Sequence, residues 1–321
     1  MLQWSWEVYR HHMTLTNALD AFIIDQRLKG NSDKTIQGYN HMLGLFFSWL
    51  RSKNIANINM LSLECVKEYQ LYINNKPAER RGRDKLTKKT VQTYIRHIKV
   101  FLTFCHQEGF IEESLHTKIK MPKAEKTMIE IFTDGEVDKI MATFSDDEIS
   151  LRNRAIVCLL LDSGLRLSEV TNLQTENINF EKRYIKVVGK GRKERIVPIG
   201  NMVRNALQKY YDSRPFVSFS NSSSAFFLSK FGKPLTSAGI GTVMRRLKKA
   251  TGIKRLHAHL FRHTFATNFL VYGLGDVYEL SMILGHCEMK VTEIYLQVAS
   301  YYTILEKRNR PTYLDMKKDK N

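Results

Sequence analysis

Two hydrophobic periods divide this chain, and each admits a different kind of secondary structure. From Ile36 the apolar residues fall at Ile36, Tyr39, Leu43, Phe46, Phe47 and Leu50, and the pattern returns at Val91, Tyr94, Ile95, Ile98, Leu102 and Cys105. A three-and-four spacing lines one face of a helix. Thr14–Arg27 and Ser62–Ile73 are shorter stretches of the same kind. Between residues 177 and 199 the period changes. Asn-Ile-Asn-Phe, Tyr184–Val188 and Arg195–Ile199 alternate β-branched with other residues, separated by Glu-Lys-Arg and Gly/Lys/Arg turns. Alternation between tight turns predicts an antiparallel meander. The expected fold is mainly α with a small antiparallel β-sheet in the second half.

A chain of 321 residues is long enough for two cores. Lys118–Lys126 combines a proline, alternating charge and no periodicity, so it reads as a linker. Thr133-Asp-Gly-Glu136 has the form of a capping box that starts a new helix. The expected organisation is an extension over 1–12, a helical domain over 13–117, a linker over 118–132 and a mixed domain over 133–321. Its tail, 301–321, is charged from Lys307 onward. Within the mixed domain, Ser150–Leu173 is predicted helical with an interruption at Gly164, Val203–Tyr211 helical, and Ala225–Ser229 a further strand.

Lys and Arg number 50 against 32 Asp and Glu, a net charge of +18 with a pI near 9.7. Such a surface attracts polyanions, nucleic acid first and anionic membrane surfaces second. Positive charge is massed ahead of one helix, where Arg80, Arg81, Arg83, Lys88 and Lys89 are candidates for phosphate contact. The longest apolar run, around Ala155–Leu161, is far short of the ~20 residues a bilayer requires, and Met1–His12 is not a signal peptide. No membrane partner is expected. The four cysteines lie far apart without a C-x-x-C, which disfavours zinc and disulfides and fits a reduced, cytoplasmic protein.

Four segments of the second half carry side chains that suit a core poorly. Leu161-Asp-Ser-Gly-Leu-Arg166-Leu-Ser-Glu169 sets an arginine just past a glycine break. Val188-Gly-Lys190-Gly-Arg-Lys-Glu-Arg195 presents Lys190, with Arg192 and Lys193 beside it, at a hairpin tip that could enter a DNA groove. His257-Ala-His259-Leu-Phe-Arg262-His263 puts His259 and Arg262 on one helix face. His259 and His263 have a zinc-like i,i+4 spacing. No glutamate follows in H-E-x-x-H fashion, however, and an arginine sits between them, so no metal is expected. Leu284-Gly-His286 is followed nine residues later by Tyr295.

Singly, these are a surface arginine, a solvated turn, a helical histidine pair and a core tyrosine. Together they suit phosphoryl transfer from a phosphodiester to a protein hydroxyl. Fixed guanidinium groups stabilise the spread negative charge of the transition state without a metal. A phenol with a pKa of about 10 needs help losing its proton, and the departing oxygen needs an acid.

The chain resembles the tyrosine site-specific recombinases of the phage-integrase and Xer type. Ser163–Glu169 matches Thr/Ser-Gly-Leu-Arg-x-Ser-Glu, and Gly189–Arg195 matches Gly-Lys-Gly-x-Lys-Glu-Arg. His259–Thr267 matches His-x-x-Arg-His-x-Phe-Ala-Thr, and Leu-Gly-His with a tyrosine at plus nine closes the series. The order also matches, and the likeness extends over nearly all of residues 13–300.

The resemblance implies a two-domain clamp, in which a helical core-binding domain and an α+β catalytic domain grip double-stranded DNA from opposite sides. It implies Tyr295 as nucleophile, forming a 3′-phosphotyrosyl bond and freeing a 5′-OH. Arg166 and Arg262 would hold the non-bridging oxygens, and Lys190 would protonate the leaving oxygen. His259 would take or relay the tyrosine proton, and His286 would hydrogen-bond the phosphate. Glu169 and His263 would support these groups. No cofactor, metal or ATP is implied.

The assembly implied is a homo-tetramer on two recombination sites. Strands pass through a four-way junction, and the C-terminal tail is exchanged between subunits through an apolar anchor at Tyr302–Leu305. An accessory directionality factor is a further partner compatible with this class. Tyr301 and Tyr302 are rival nucleophiles by residue type but lie past the family position. Met1–His12 is too short for an arm-binding domain, so the expectation is a simple two-domain member. It would be an integrase or transposase of a mobile element, slightly favoured by the basic insert, or a Xer-type resolving enzyme. The alternatives are a type IB topoisomerase-like enzyme and a non-catalytic DNA-binding regulator.

Overall fold

The computed structural model describes residues 13–77, 85–123, 128–189, 193–214 and 224–306. The chain divides between Thr127 and Met128 into two units. Of the sequence candidates, Arg80, Arg81, Arg83, Lys190 and Arg192 lie outside the described residues, as do the extension 1–12 and the tail beyond Glu306.

The first unit is helical: α1 (Leu15–Leu28), α2 (Asp33–Ser52), α3 (Leu63–Asn75), α4 (Lys88–Gln107) and one turn, α5 (Leu115–Lys118). Thr14, Ser32, Ser62 and Thr87 stand at the N-caps of the four long helices, each accepting the backbone N–H three residues on. That satisfies a donor the helix cannot, typically worth about 1 kcal/mol. The two stripes form the core. Leu43, Phe46, Phe47 and Leu50 pack with Val91, Ile95, Ile98, Leu102 and Cys105, Ile36 is buried as well, and Phe22 stands edge-on to Phe101 at 5.5 Å. Burying each such side chain contributes about 1.5–3 kcal/mol. Packing continues through Ile119 and Met121, past the point where periodicity ends. Lys88 and Lys89 are exposed in the first turn of α4.

The second unit contains α6 (Asp134–Met141), α7 (Glu148–Ser163), α8 (Leu167–Thr171), β1 (Ile178–Asn179), β2 (Tyr184–Val188) and β3 (Glu194–Pro198). There follow α9 (Asn201–Ser213), α10 (Ser237–Thr251), α11 (Ala258–Val271), α12 (Val277–Leu284) and α13 (Lys290–Glu306). The predicted capping box is present, with Thr133 and Glu136 serving each other's backbone N–H groups. Ala155–Leu160 are buried without a break, so this stretch of α7 is apolar all round and runs through the core. The three strands pair antiparallel in the order β1-β2-β3, with Val187 opposite Arg195.

Ala225–Ser229 does not become a strand. Only isolated bridges form, Gln174 with Ala225 and Leu228 with Pro234, although Phe226 and Phe227 are buried. Pro234 has no N–H with which to extend a ladder, and the Leu228 N–H donates instead to the Tyr210 hydroxyl at 2.9 Å.

All four cysteines are free, with Cys105 and Cys158 buried. Burial pushes both of those thiols up, away from reactivity.

Gly164 ends α7 in the left-handed conformation, φ 58°. A Cβ there would fall 2.4 Å from Phe265 Cδ1 and 2.8 Å from Leu284 Cδ2. Gly164→Ala therefore combines backbone strain with overpacking, and about 2–4 kcal/mol of stability should be lost. Urea unfolding of the full chain checks this; a change below about 1 kcal/mol would show that the three helices yield easily.

Candidate active site

The site forms where two helices end. The last carbonyls of a helix have no partner within it and carry the negative end of its dipole. Here those carbonyls hold guanidinium groups. Arg262, on α11, is only 1 % exposed. Its Nη1 donates to the Gly164 carbonyl at the end of α7, and its Nη2 donates to the Leu284 carbonyl at the end of α12 at 2.8 Å. Arg166 follows the Gly164 turn, and its Nη2 donates to the Gly285 carbonyl at 3.1 Å. Arg195, on β3, donates from Nε to the Ile283 carbonyl at 2.7 Å.

Three guanidinium groups in so small a space repel one another. Glu169 offsets this. Its carboxylate accepts from both Arg195 Nη atoms, at 2.8 and 2.9 Å, and from Arg166 Nη1 at 3.1 Å. It also accepts the Arg166 backbone N–H at 2.7 Å, which closes the first turn of α8. Burial works to raise the Glu169 pKa, but Arg195, the Arg166 N–H and the two arginine charges outweigh it, and the group lies below its ordinary value. A carboxylate depressed in the fold stabilises above the ordinary carboxylate range and loses that contribution as pH falls through its folded pKa. Glu169→Gln should cost about 3 kcal/mol at neutral pH by leaving arginines without their counter-charge. The gap from wild type should close in acid. Urea unfolding across pH measures it, and a gap independent of pH would refute the charge argument.

His286 follows Gly285, the left-handed cap of α12. Arg262 Nη2 stands 2.9 Å from His286 Nε2, and His286 Nδ1 stands 2.8 Å from the hydroxyl of Thr292. A guanidinium can only donate, so Nε2 is an acceptor and Nδ1 carries the proton. Burial, then Arg262, Arg166 and Arg195, push the His286 pKa down to about 4, which keeps the ring neutral. Burial, then Arg166, also push Arg262 down, to about 10.

Tyr295, on α13, is 2 % exposed and packs with Phe265, Phe269, Leu280 and Leu284. Its hydroxyl lies 2.8 Å from His263 Nδ1. Burial raises its pKa, while Arg262 and Arg166 pull the other way. His259, one turn before His263 on α11, is exposed and stands edge-on to it with ring centroids 4.5 Å apart. An open cleft lined by Arg166, Ser168, Glu169, Gly189, His286 and Cys287 adjoins the arginines.

The structure thus gathers Arg166, Glu169, His259, Arg262, His263, His286 and Tyr295. Lys193 is exposed at the base of the hairpin, where its carbonyl accepts the Gly189 N–H at 2.8 Å. The neighbour of the tyrosine hydroxyl differs from expectation. His263, expected as a support, makes that contact, whereas His259 was expected to serve the hydroxyl. Both residues share one helix face, and the crossing of α11 with α13 brings the later one to the tyrosine. Arg195 and Thr292 were not among the candidates. Arg195 fills an inward strand position beside Val197, where alternation calls for an apolar residue, and that misfit is the signal. Thr292, one turn before Tyr295 and fully buried, gives no such signal.

A helical unit followed by a small-sheet α unit with this arginine-centred site is the architecture of enzymes that transfer DNA strands to a tyrosine. Residues 130–301 match the phage integrase family and residues 14–121 the phage integrase SAM-like domain. The chain is 30 % identical over 289 residues to tyrosine recombinase XerC of Oceanobacillus iheyensis, covering 87 % of this chain and 91 % of that one. It is 29 % identical over 290 residues to tyrosine recombinase XerD of Halalkalibacterium halodurans, covering 89 % and 94 %. In fold it is similar to the Tn1549 transposon integrase in complex with a circular intermediate DNA, with a TM-score of 0.69 at 21 % identity over 88 % of this chain and 95 % of that one. A lambda integrase dimer bound to a core site gives a TM-score of 0.68 at 17 % identity over 88 % and 95 %. The chain belongs to the phage integrase family: it is a tyrosine recombinase, a DNA strand-transfer enzyme of site-specific recombination.

Proposed function

We propose that this chain cleaves and rejoins double-stranded DNA at recombination sites with Tyr295 as the nucleophile. The observation that carries this is a buried Arg262 joined to Gly164, Leu284 and His286, with the Tyr295 hydroxyl beside it. The phenolic oxygen attacks the scissile phosphorus, and the bond to the 5′ oxygen breaks. A 3′-phosphotyrosyl bond and a free 5′-OH result. Arg166 and Arg262 take the non-bridging oxygens. Both are fixed before the reaction, so little reorganisation opposes the charge that develops. His286 orients Arg262. For it to donate to the phosphate as well, Nε2 must first gain a proton. Lys190 protonates the leaving oxygen, a role that rests on the family resemblance alone. The stored phosphotyrosyl bond makes ATP unnecessary.

Arg80, Arg81, Arg83, Lys88, Lys89, Arg192 and Lys193 supply phosphate contacts in this reading, and the +18 charge supplies the long-range attraction. A helical domain over 13–117 and a catalytic domain over 133–321 then form the DNA clamp. Four copies act on two sites in the cytoplasm, exchanging C-terminal tails. Exposed Val291, Ile294, Leu296 and Ile304 on α13 give such a tail an apolar surface to dock on. The test uses a site selected by this protein from randomised duplex DNA, nicked so that cleavage cannot reverse. A covalent adduct should accumulate, with the linked nucleotide on the peptide containing Tyr295. An adduct on any other peptide would refute the assignment.

A further inference from the structure

We propose that His263 is the group that takes the proton from the Tyr295 hydroxyl, with His259 next in line toward solvent. This rests on Tyr295 being the nucleophile. A general base must lie within about 2.6–3.2 Å of the oxygen it deprotonates, and His263 Nδ1 lies at 2.8 Å. Both side chains project from long helices that pack together, so the contact is built into the fold. The tyrosine ring is enclosed by Phe265, Leu280 and Leu284, which restricts what can approach its hydroxyl. The ring of His259 stands against that of His263 and is open to solvent.

The step balances without an added reagent. The Tyr295 O–H bond breaks and an N–H bond forms at His263 Nδ1. The phenolate attacks phosphorus, the bond to the 5′ oxygen breaks, and that oxygen receives its proton from the general acid. His263, now an imidazolium, passes its Nε2 proton toward His259 or holds it until rejoining returns it. The charges that act on the hydroxyl are Arg262 from α11 and Arg166 from the start of α8, and His263 itself faces His259 one turn before it. The two arginines favour the phenolate, and the arriving phosphate offsets the new charge on His263.

Single-turnover cleavage of the nicked site across pH tests this in the full chain, with Tyr295→Phe alongside. His263→Asn keeps a polar group at the position of Nδ1 but cannot accept a proton at neutral pH. It should slow cleavage about 100- to 1,000-fold and lack the histidine-range ionisation that the wild type is expected to show, with DNA binding and melting retained. His259→Asn should slow cleavage less and keep that ionisation. A fast His263→Asn, a slow one with the wild-type pH profile, or loss of the ionisation in His259→Asn instead would overturn the proposal.

A second measurement needs no variant at the histidine. Nitrogen NMR of the wild-type chain should show His263 with its proton on Nε2 and Nδ1 unprotonated, accepting from the Tyr295 hydroxyl. A proton on Nδ1 would make the tyrosine oxygen the acceptor and end the proposal. Adduct formation by Tyr295→Phe would instead remove the nucleophile assignment itself, so the two failures are distinguishable.

Discussion

Tyr295→Phe is expected to bind the recombination site as wild type does and to form no covalent adduct. The two effects separate because the ring and the hydroxyl do different things. The ring belongs to a small core with Phe265, Phe269, Leu280 and Leu284, which phenylalanine preserves. The hydroxyl bonds His263, and its loss costs about 1 kcal/mol. Folding and binding should therefore survive while the oxygen proposed as nucleophile is gone. Rescue by a neighbour is excluded by geometry. Tyr301 and Tyr302 lie on the same helix, at least six residues on, which is roughly 9 Å along its axis. Tyr301 is exposed, and Tyr302 faces Arg255, Glu130 and Glu136 rather than the arginine centre. Adduct yield on the nicked site, with binding and melting as controls, measures the outcome. An undiminished yield would move the chemistry to another residue.

Much of this arrangement was legible in local sequence. The stripes from Ile36 and Val91 became α2 and α4 because one face of a helix is fixed by spacing alone. The meander over 177–199 formed because alternation and tight turns are likewise local. Ala225–Ser229, expected as a strand, misled for the opposite reason. An apolar run between turns is buried either way, and whether it pairs depends on a distant Tyr210 and a proline across the turn. The site divides in the same manner. Residue types and order announced Arg166, Arg262, His286 and Tyr295. Which histidine meets the tyrosine depends on how α11 crosses α13, and that Arg195 completes the arginine centre depends on β3 facing the end of α12. No run of sequence encodes either contact by itself.

Arg262→Ala should lower cleavage by a thousandfold or more and also weaken the fold. Loss of a single preorganised donor at a charge-developing centre typically costs a factor of about 100 to 1,000. Arg262 is a full charge, and it also sets the position of His286. Its removal leaves the Gly164 and Leu284 carbonyls without their partner in a buried setting, at about 1–3 kcal/mol each, partly offset by no longer burying a charge. Arg262→Lys separates charge from geometry. An ammonium is a compact point charge, whereas the planar guanidinium reaches two carbonyls and an imidazole at once. If catalysis needs only positive charge, lysine restores it. If the fork is what fixes α7, α12 and His286 around the phosphate, lysine recovers part of the stability and little of the rate. Measuring melting and single-turnover cleavage for both variants decides between these. A lysine variant that cleaves within about tenfold of wild type, a barrier difference of about 1.4 kcal/mol, would sink the geometric account and leave charge alone as the reason for burying an arginine there.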